Sequence, residues 1–348
     1  MDDIFQLLRE HFDLHPDMQV QDAVKFLYQS HLGGGHLIAD EADCLARLRT
    51  EWTLVKGNPS APLTTPLGNN LYRLHLNQCK AIGLSSHTVN RLFCLTAQGM
   101  QPNPQQFAQS LEELGKLPFP REMVAVFLAE YRAQGCPMLS HSHTYRQAYS
   151  PAYRIVSAQY VKLLPLLAAI DRRMERYEQV QMGIDGPCAS GKSTLGQLLS
   201  TIYQAPLVAM DDFFLRPEQC TPQRLAKPGG NVDYERFADE VLTPLQRGEQ
   251  ASYRPWQCRQ SAFGPEVVLP PSPLTIVEGS YSLHPALRSG YHLRVWLQAP
   301  WPTRLQRLRE REGRGSVDDF LQRWIPLEEE YFSTCQVKQC CHVVLTSP

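Results

Sequence analysis

The segment that most constrains this chain is Gly186-Pro187-Cys188-Ala189-Ser190-Gly191-Lys192-Ser193, with Thr194 after it. A glycine, four free positions, Gly-Lys and a hydroxyl residue form the pattern of a phosphate-binding loop. A random chain of this length would contain it roughly once in a hundred sequences. Context sharpens the reading. Residues 180–185, Val-Gln-Met-Gly-Ile-Asp, read as a short buried strand, and residues 193–203 as a helix. A strand–loop–helix unit lets backbone N–H groups converge on phosphate oxygens, with glycines keeping side chains out of the way. The positive end of the helix adds to the attraction. In such a loop Lys192 reaches the outer phosphates and the Ser193 hydroxyl ligates Mg²⁺.

The pattern around the loop sets the fold class. Further strands are expected at 207–210, 274–278, 293–297 and 342–345, with helical periodicity at 234–247, 302–312 and 317–332. Strands alternating with helices predict a parallel α/β sheet. Residues before 178 look different. Val20, Val24 and Leu27, then Met123, Val124, Phe127, Leu128 and Tyr131, recur at helical spacing. Turn signals separate them at Gly33-Gly34-Gly35, Gly57-Asn58-Pro59 and Pro118-Phe119-Pro120. A long helix is expected over 151–177, broken or kinked by Pro165. The division is therefore an all-α domain at 1–177 and an α/β domain at 178–348.

Composition excludes several classes. Among 348 residues, 34 basic and 35 acidic side chains give a net charge of −1, so neither nucleic acid nor anionic lipid would find a broad basic surface. No apolar run reaches the ~20 residues of a membrane span. The acidic start Met1-Asp2-Asp3 lacks a secretion signal, and a cytoplasmic protein is expected. The ten cysteines include no Cys-x-x-Cys pair, and reduced, mostly buried thiols are expected.

Two carboxylate positions complete the chemistry. Thr275-Ile276-Val277-Glu278-Gly279 has the shape of an apolar strand delivering an acid to the Mg²⁺ or its bound water, with a strand-end surface glutamate as the alternative. Met210-Asp211-Asp212-Phe213-Phe214 ends the second expected strand, where one acid can accept a proton from an attacking hydroxyl. An N-cap or turn role for the pair is the alternative. Arg304, Arg307, Arg309, Arg311 and Arg314 crowd one helix and its exit, and Arg304, Arg307 and Arg311 share a face. Such a face suits a lid helix closing on a triphosphate, or else a solvated basic surface.

These residues, with Gly230-Asn231-Val232-Asp233-Tyr234-Glu235-Arg236-Phe237, resemble the uridine kinase family of P-loop small-molecule kinases, over about residues 180–345. That group also holds phosphoribulokinase, pantothenate kinase and nicotinamide riboside kinase. The resemblance implies a five-stranded parallel sheet with a lid helix. It implies ATP and Mg²⁺ as cofactors, and transfer of the γ-phosphate to a hydroxyl of a small molecule such as a nucleoside, sugar or vitamin precursor. Asp211 stands at the catalytic aspartate, with Lys192, Arg304, Arg307 and Arg311 beside the reacting groups. Gly186, Cys188, Ala189, Ser190, Gly191, Lys192, Ser193 and Thr194 hold the nucleotide, and Ser193 and Glu278 the metal. Asp211, Asp233, Tyr234, Tyr253 and Arg254 are expected at the acceptor. Phe214 and Asp212 depart from the uridine kinase pattern and approach nicotinamide riboside kinases. A second reading is an ATP-binding switch whose helical domain binds a protein. A homo-oligomer stays open.

For the first half no family is recognised. His31, His36, His75, His87, His141 and His143 are metal-ligand candidates or ordinary loop and cap residues. The run Tyr145, Arg146, Tyr149, Tyr153, Arg154 suits an interdomain seam or an anionic ligand.

Overall fold

A computed structural model of the protein describes residues 4–35, 38, 40–56, 62–312 and 317–347. The chain divides into compact units at residues 1–171 and 172–348. Among the described residues no helix is long and apolar enough to cross a membrane.

The first unit is mainly helical: α1 (Ile4–Leu14), α2 (Val20–Leu32), α3 (Glu41–Leu54), α4 (Leu76–Ile82), α5 (Ser86–Gly99), α6 (Pro104–Glu112), α7 (Arg121–Ala133) and α8 (His143–Tyr149). Its core gathers Leu8, Val24, Phe26, Leu27, Phe93, Leu111 and Val124 from these helices. It departs from the all-α expectation through a three-stranded antiparallel sheet, β1 (Thr64–Gly68), β2 (Leu71–His75) and β3 (Tyr153–Ser157). Asn69 and Asn70, at φ 52° and 59°, make the tight turn between β1 and β2. The β-branched pair Ile155-Val156 lies opposite Arg73 and Tyr72 of β2. The segment expected as one helix over 151–177 is therefore a strand followed by a helix, α9 (Leu164–Arg176). Pro165 sits in the first turn of α9, where its missing N–H leaves no bond unmade.

Three of the candidate histidines are held inside this unit, whereas His87 and His143 are exposed. His31 bonds Ser110, His75 bonds Thr65, and His141 bonds both Asp22 and Tyr153. His36 lies outside the described residues. Among those described, no cluster of His, Cys, Asp or Glu could hold a metal. Of the aromatic and basic run, Tyr145 bonds His11, Tyr149 bonds Asp17 and Arg154 pairs with Glu51.

The second unit is built on β4 (Val180–Asp185), β5 (Leu207–Ala209), β6 (Leu274–Glu278), β7 (Leu293–Gln298) and β8 (Val343–Thr346), all parallel, in the order β8-β7-β4-β6-β5. Every residue of β4 and of β6 is buried. Such apolar runs belong in the middle of a parallel sheet covered on both faces. The helices that bear on the site are α10 (Lys192–Tyr203), α11 (Trp301–Glu312) and α12 (Ile325–Thr334). Register sets the site: Glu278 lies opposite both Ile184 and Ala209. The loop after β4, the Gly279-Ser280 turn after β6 and the Asp211-Asp212 pair after β5 therefore leave the sheet side by side. The carboxyl ends of the strands are where open α/β sheets bind ligands.

All ten cysteines are free thiols, but only Cys44, Cys79, Cys94 and Cys188 are buried, fewer than expected. Cys220 and Cys258 are exposed.

Gly186 shows how tightly β4 is followed by its loop. Its φ is +147°, and a Cβ there would lie 2.0 Å from the Leu297 carbonyl oxygen. Gly186→Ala should cost about 1–3 kcal/mol, through strain and overpacking. Thermal unfolding checks this, and an unchanged melting temperature would contradict it.

Candidate active site

Residues 186–191 turn from β4 into α10 with Gly191 at φ +96°, a left-handed conformation suited to glycine. Lys192 opens α10 and folds back, its Nζ donating to the Gly186 and Pro187 carbonyls at 2.7 and 3.0 Å. The lysine thus stays beside the loop, on carbonyls it can exchange for phosphate oxygens.

Asp185 anchors the loop from below. It is fully buried and accepts from the Gly186 N–H at 2.7 Å, the Leu283 N–H at 3.0 Å and the Tyr331 hydroxyl at 2.9 Å. Burial nevertheless pushes its pKa up to about 6, against these bonds and the Lys192 charge. From above, Arg304 of α11 donates its Nε to the Cys188 carbonyl at 2.8 Å, itself only 9% exposed. Arg307 bonds the Ala189 carbonyl and the Ser347 hydroxyl.

The Glu278 carboxyl, buried at the end of β6, lies beside the Ser193 hydroxyl. Burial raises its pKa, and the nearby Asp211 and Asp212 charges push the same way. Asp211 stands open to the cleft but is crowded by protein, which raises its pKa; Lys192 and Arg311 pull it back down. Asp212 faces away and accepts from the Tyr253 hydroxyl at 3.0 Å.

One cavity of about 1240 Å³ brings these together, lined by Cys188, Lys192, Ser193, Asp211, Glu278 and Arg311 among others. Its other wall carries Phe214, Asn231, Tyr281 and Trp324. Four residues expected at the acceptor, Asp233, Tyr234, Tyr253 and Arg254, are not among those lining this cavity. Asp233 does not line the cavity: its carboxylate caps the following helix through the Arg236 N–H and accepts from Gln219 Nε2. Tyr234 is also elsewhere, stacked on His284 at 4.0 Å with Arg224 over its face. Tyr253 packs on Phe213, and Arg254 bonds the Gly264 carbonyl, so neither reaches the cavity lining. The sequence reading passed over Asn231, Tyr281 and Glu328. Asn231 sits inside the Gly230–Phe237 motif, a signal that pointed instead to its neighbours. Tyr281 and Glu328 had none.

The arginine face also differs from a uniform lid. Arg304 is buried as a brace on the loop, whereas Arg311 is exposed, over the Phe320 ring at 5.4 Å and close enough to act on Asp211. Arg314 lies outside the described residues. Arg304→Ala should lower both melting temperature and nucleotide affinity, because it orphans a buried carbonyl. Arg311→Ala should lower turnover with little effect on melting, since exposed charges contribute little to stability. Equal melting losses in both variants would contradict this division.

Asp185 makes stability depend on pH with a defined sign. Its pKa is about 6 folded against 3.8 unperturbed, so between those values the folded chain keeps a proton the unfolded chain has lost. Its contribution therefore falls as pH rises through that window and levels off above it. Denaturant unfolding of the unaltered chain against Asp185→Asn, at several pH values across the window, should show a steeper fall in the former.

Comparison with known proteins adds the following. No protein-family model matches the chain. It is 25% identical over 150 residues to a cytidylate kinase of Methanosarcina barkeri, covering 43% of this chain and 73% of that protein. Among solved structures it is similar to a possible uridine kinase from Bacillus stearothermophilus, at 18% identity and a TM-score of 0.40, covering 52% of this chain and 98% of that one. It is also similar to a candidate fructose transport system kinase from Silicibacter sp. TM1040, at 20% identity and a TM-score of 0.41, covering 51% and 97%.

Proposed function

We propose that the second unit is an ATP-dependent phosphotransferase that moves the γ-phosphate to a hydroxyl of a small molecule. The observation that carries this reading is the single cavity in which a phosphate loop, its lysine, a buried carboxylate beside the loop serine and a separate open carboxylate all meet. The similarity to a cytidylate kinase supports a kinase of small molecules, and the motif resemblance to uridine kinases supports the alcohol acceptor.

Each residue has a part. The loop amides of residues 188–193 cradle phosphates, with Lys192 leaving the Gly186 and Pro187 carbonyls to meet them. Ser193 and Glu278 form a hard-oxygen pair that fits Mg²⁺, and a cation there would relieve the crowding of Glu278 by Asp211 and Asp212. When bound, Mg²⁺ neutralises phosphate charge. Asp211 accepts the proton of the acceptor hydroxyl as it attacks. Arg307 and Arg311, which line the same cavity, face the charge that spreads over the transferred group. The acceptor rests against Phe214, Asn231, Tyr281 and Trp324. Asn231 and the Tyr281 hydroxyl lie next to each other in that wall.

The alternative, a nucleotide-operated switch, does not need an acid opposite the phosphate loop, and Asp211 stands there. ADP release should therefore depend on an acceptor in a panel of nucleosides, sugars and vitamin precursors. Lys192→Ala should abolish transfer and Asp211→Asn lower it by ~10²–10⁴ with melting unchanged. Asp212→Asn should be milder, because that acid is held by Tyr253. ADP release that ignores every acceptor, or an Asp211→Asn variant at full rate, would count against the reading.

A further inference from the structure

Glu328 is a buried anion in an unexpected place. It sits on α12, 5% exposed, and lines the cavity. Its Oε2 accepts from the Cys188 N–H at 2.8 Å, and the Ser280 hydroxyl donates to its Oε1. Among the described residues, no Lys, Arg or His pairs with it. A carboxylate buried without a cation is costly, and two neutral donors offset only part of that.

The donors explain why it stays. The Cys188 amide belongs to an anion-binding loop, so the carboxylate takes a seat that the loop offers to an anion. Arg304 holds the Cys188 carbonyl from outside, which keeps that peptide aimed. The later amides of the loop serve the inner phosphates of a nucleotide, and Lys192 reaches the outer ones. Cys188 precedes them, and Glu328 there is close enough to Asp211 to act on its charge. By that order along the loop, the last phosphate of a triphosphate, and not a diphosphate, would come to the Cys188 end, against a carboxylate of the same sign.

We propose that Glu328 is a positioning residue that fills the terminal-phosphate seat of the loop until a triphosphate displaces it. Displacement frees the Cys188 N–H and the Ser280 hydroxyl, two donors that then receive oxygens of the third phosphate. Glu328 thereby weakens triphosphate binding selectively, and with it any transfer at low ATP. The proposal rests on the kinase reading and adds to it a residue that discriminates triphosphate from diphosphate.

The full chain is tested with Mg²⁺-ADP and with a non-hydrolysable Mg²⁺-ATP analogue by calorimetry. Glu328→Gln removes the charge and keeps the shape. It should tighten the triphosphate analogue about tenfold, leave ADP within about twofold, and raise acceptor-free phosphate release at low ATP. Glu328→Asp, which keeps the charge but shortens the reach, should lie between. A merely structural role would weaken both nucleotides in parallel, and that result, or an unchanged triphosphate affinity, overturns the proposal. Hydrogen exchange of the unaltered chain gives a second reading should the variants not fold. Residues 325–334 should exchange faster with the triphosphate analogue and not with ADP; equal protection with both overturns the proposal. Absence of any nucleotide binding by the unaltered chain overturns the kinase reading and this proposal together, whereas normal binding with parallel losses overturns this one alone.

Discussion

The cavity depends on how the chain leaves β4. A phosphate loop works only if its amides stay aimed at one point, yet its sequence is rich in residues that would let it wander. Here the loop is fixed from outside. Asp185 ties its first N–H to the turn after β6 and to Tyr331 of α12. Arg304 ties its third residue to α11. The close approach of Gly186 to the Leu297 carbonyl presses the loop against the end of β7. Preorganised donors need no rearrangement when charge develops, which is why such bracing matters more than any single phosphate contact.

The central sheet was legible in the sequence because its strands are short apolar runs ended by polar or glycine residues, each followed by helical spacing. That pattern has few other outcomes. The positions of the loop, Lys192, Ser193, Glu278 and Asp211 were legible too, since each lies at the end of a strand or in the turn and helix start that follow one. The rest of the cavity lining was not. Asn231, Tyr281 and Glu328 come from separate segments that only the fold brings together. Asp233 is ambiguous for the opposite reason: an aspartate before a helical pattern reads equally as a ligand or as a cap, and its carboxylate caps the helix that follows.

The first unit shows the same limit in its strands. Each of its strands is five residues long, and β3 runs almost directly into helix. Length and periodicity favour helix in such a stretch, and only the antiparallel partners decide otherwise. The fully buried Arg73 of β2 illustrates what no pattern announces. Its guanidinium donates to Gln29 and to His11 and lies 4.7 Å from the Tyr153 ring, so a charge that reads as surface is the centre of a polar core. Burial and that charge hold His11 far below the usual histidine range, so it meets Arg73 as a neutral acceptor.

The central claim is that the cavity transfers phosphate to a small hydroxyl compound, and phosphorus NMR reads that transfer directly. With Mg²⁺-ATP and the acceptor panel, the account predicts a new phosphomonoester resonance growing in step with ADP. Lys192→Ala should show neither signal. Nucleotide bound with no phosphomonoester formed from any hydroxyl compound, or ADP formed only with free phosphate at a rate no acceptor changes, would contradict it.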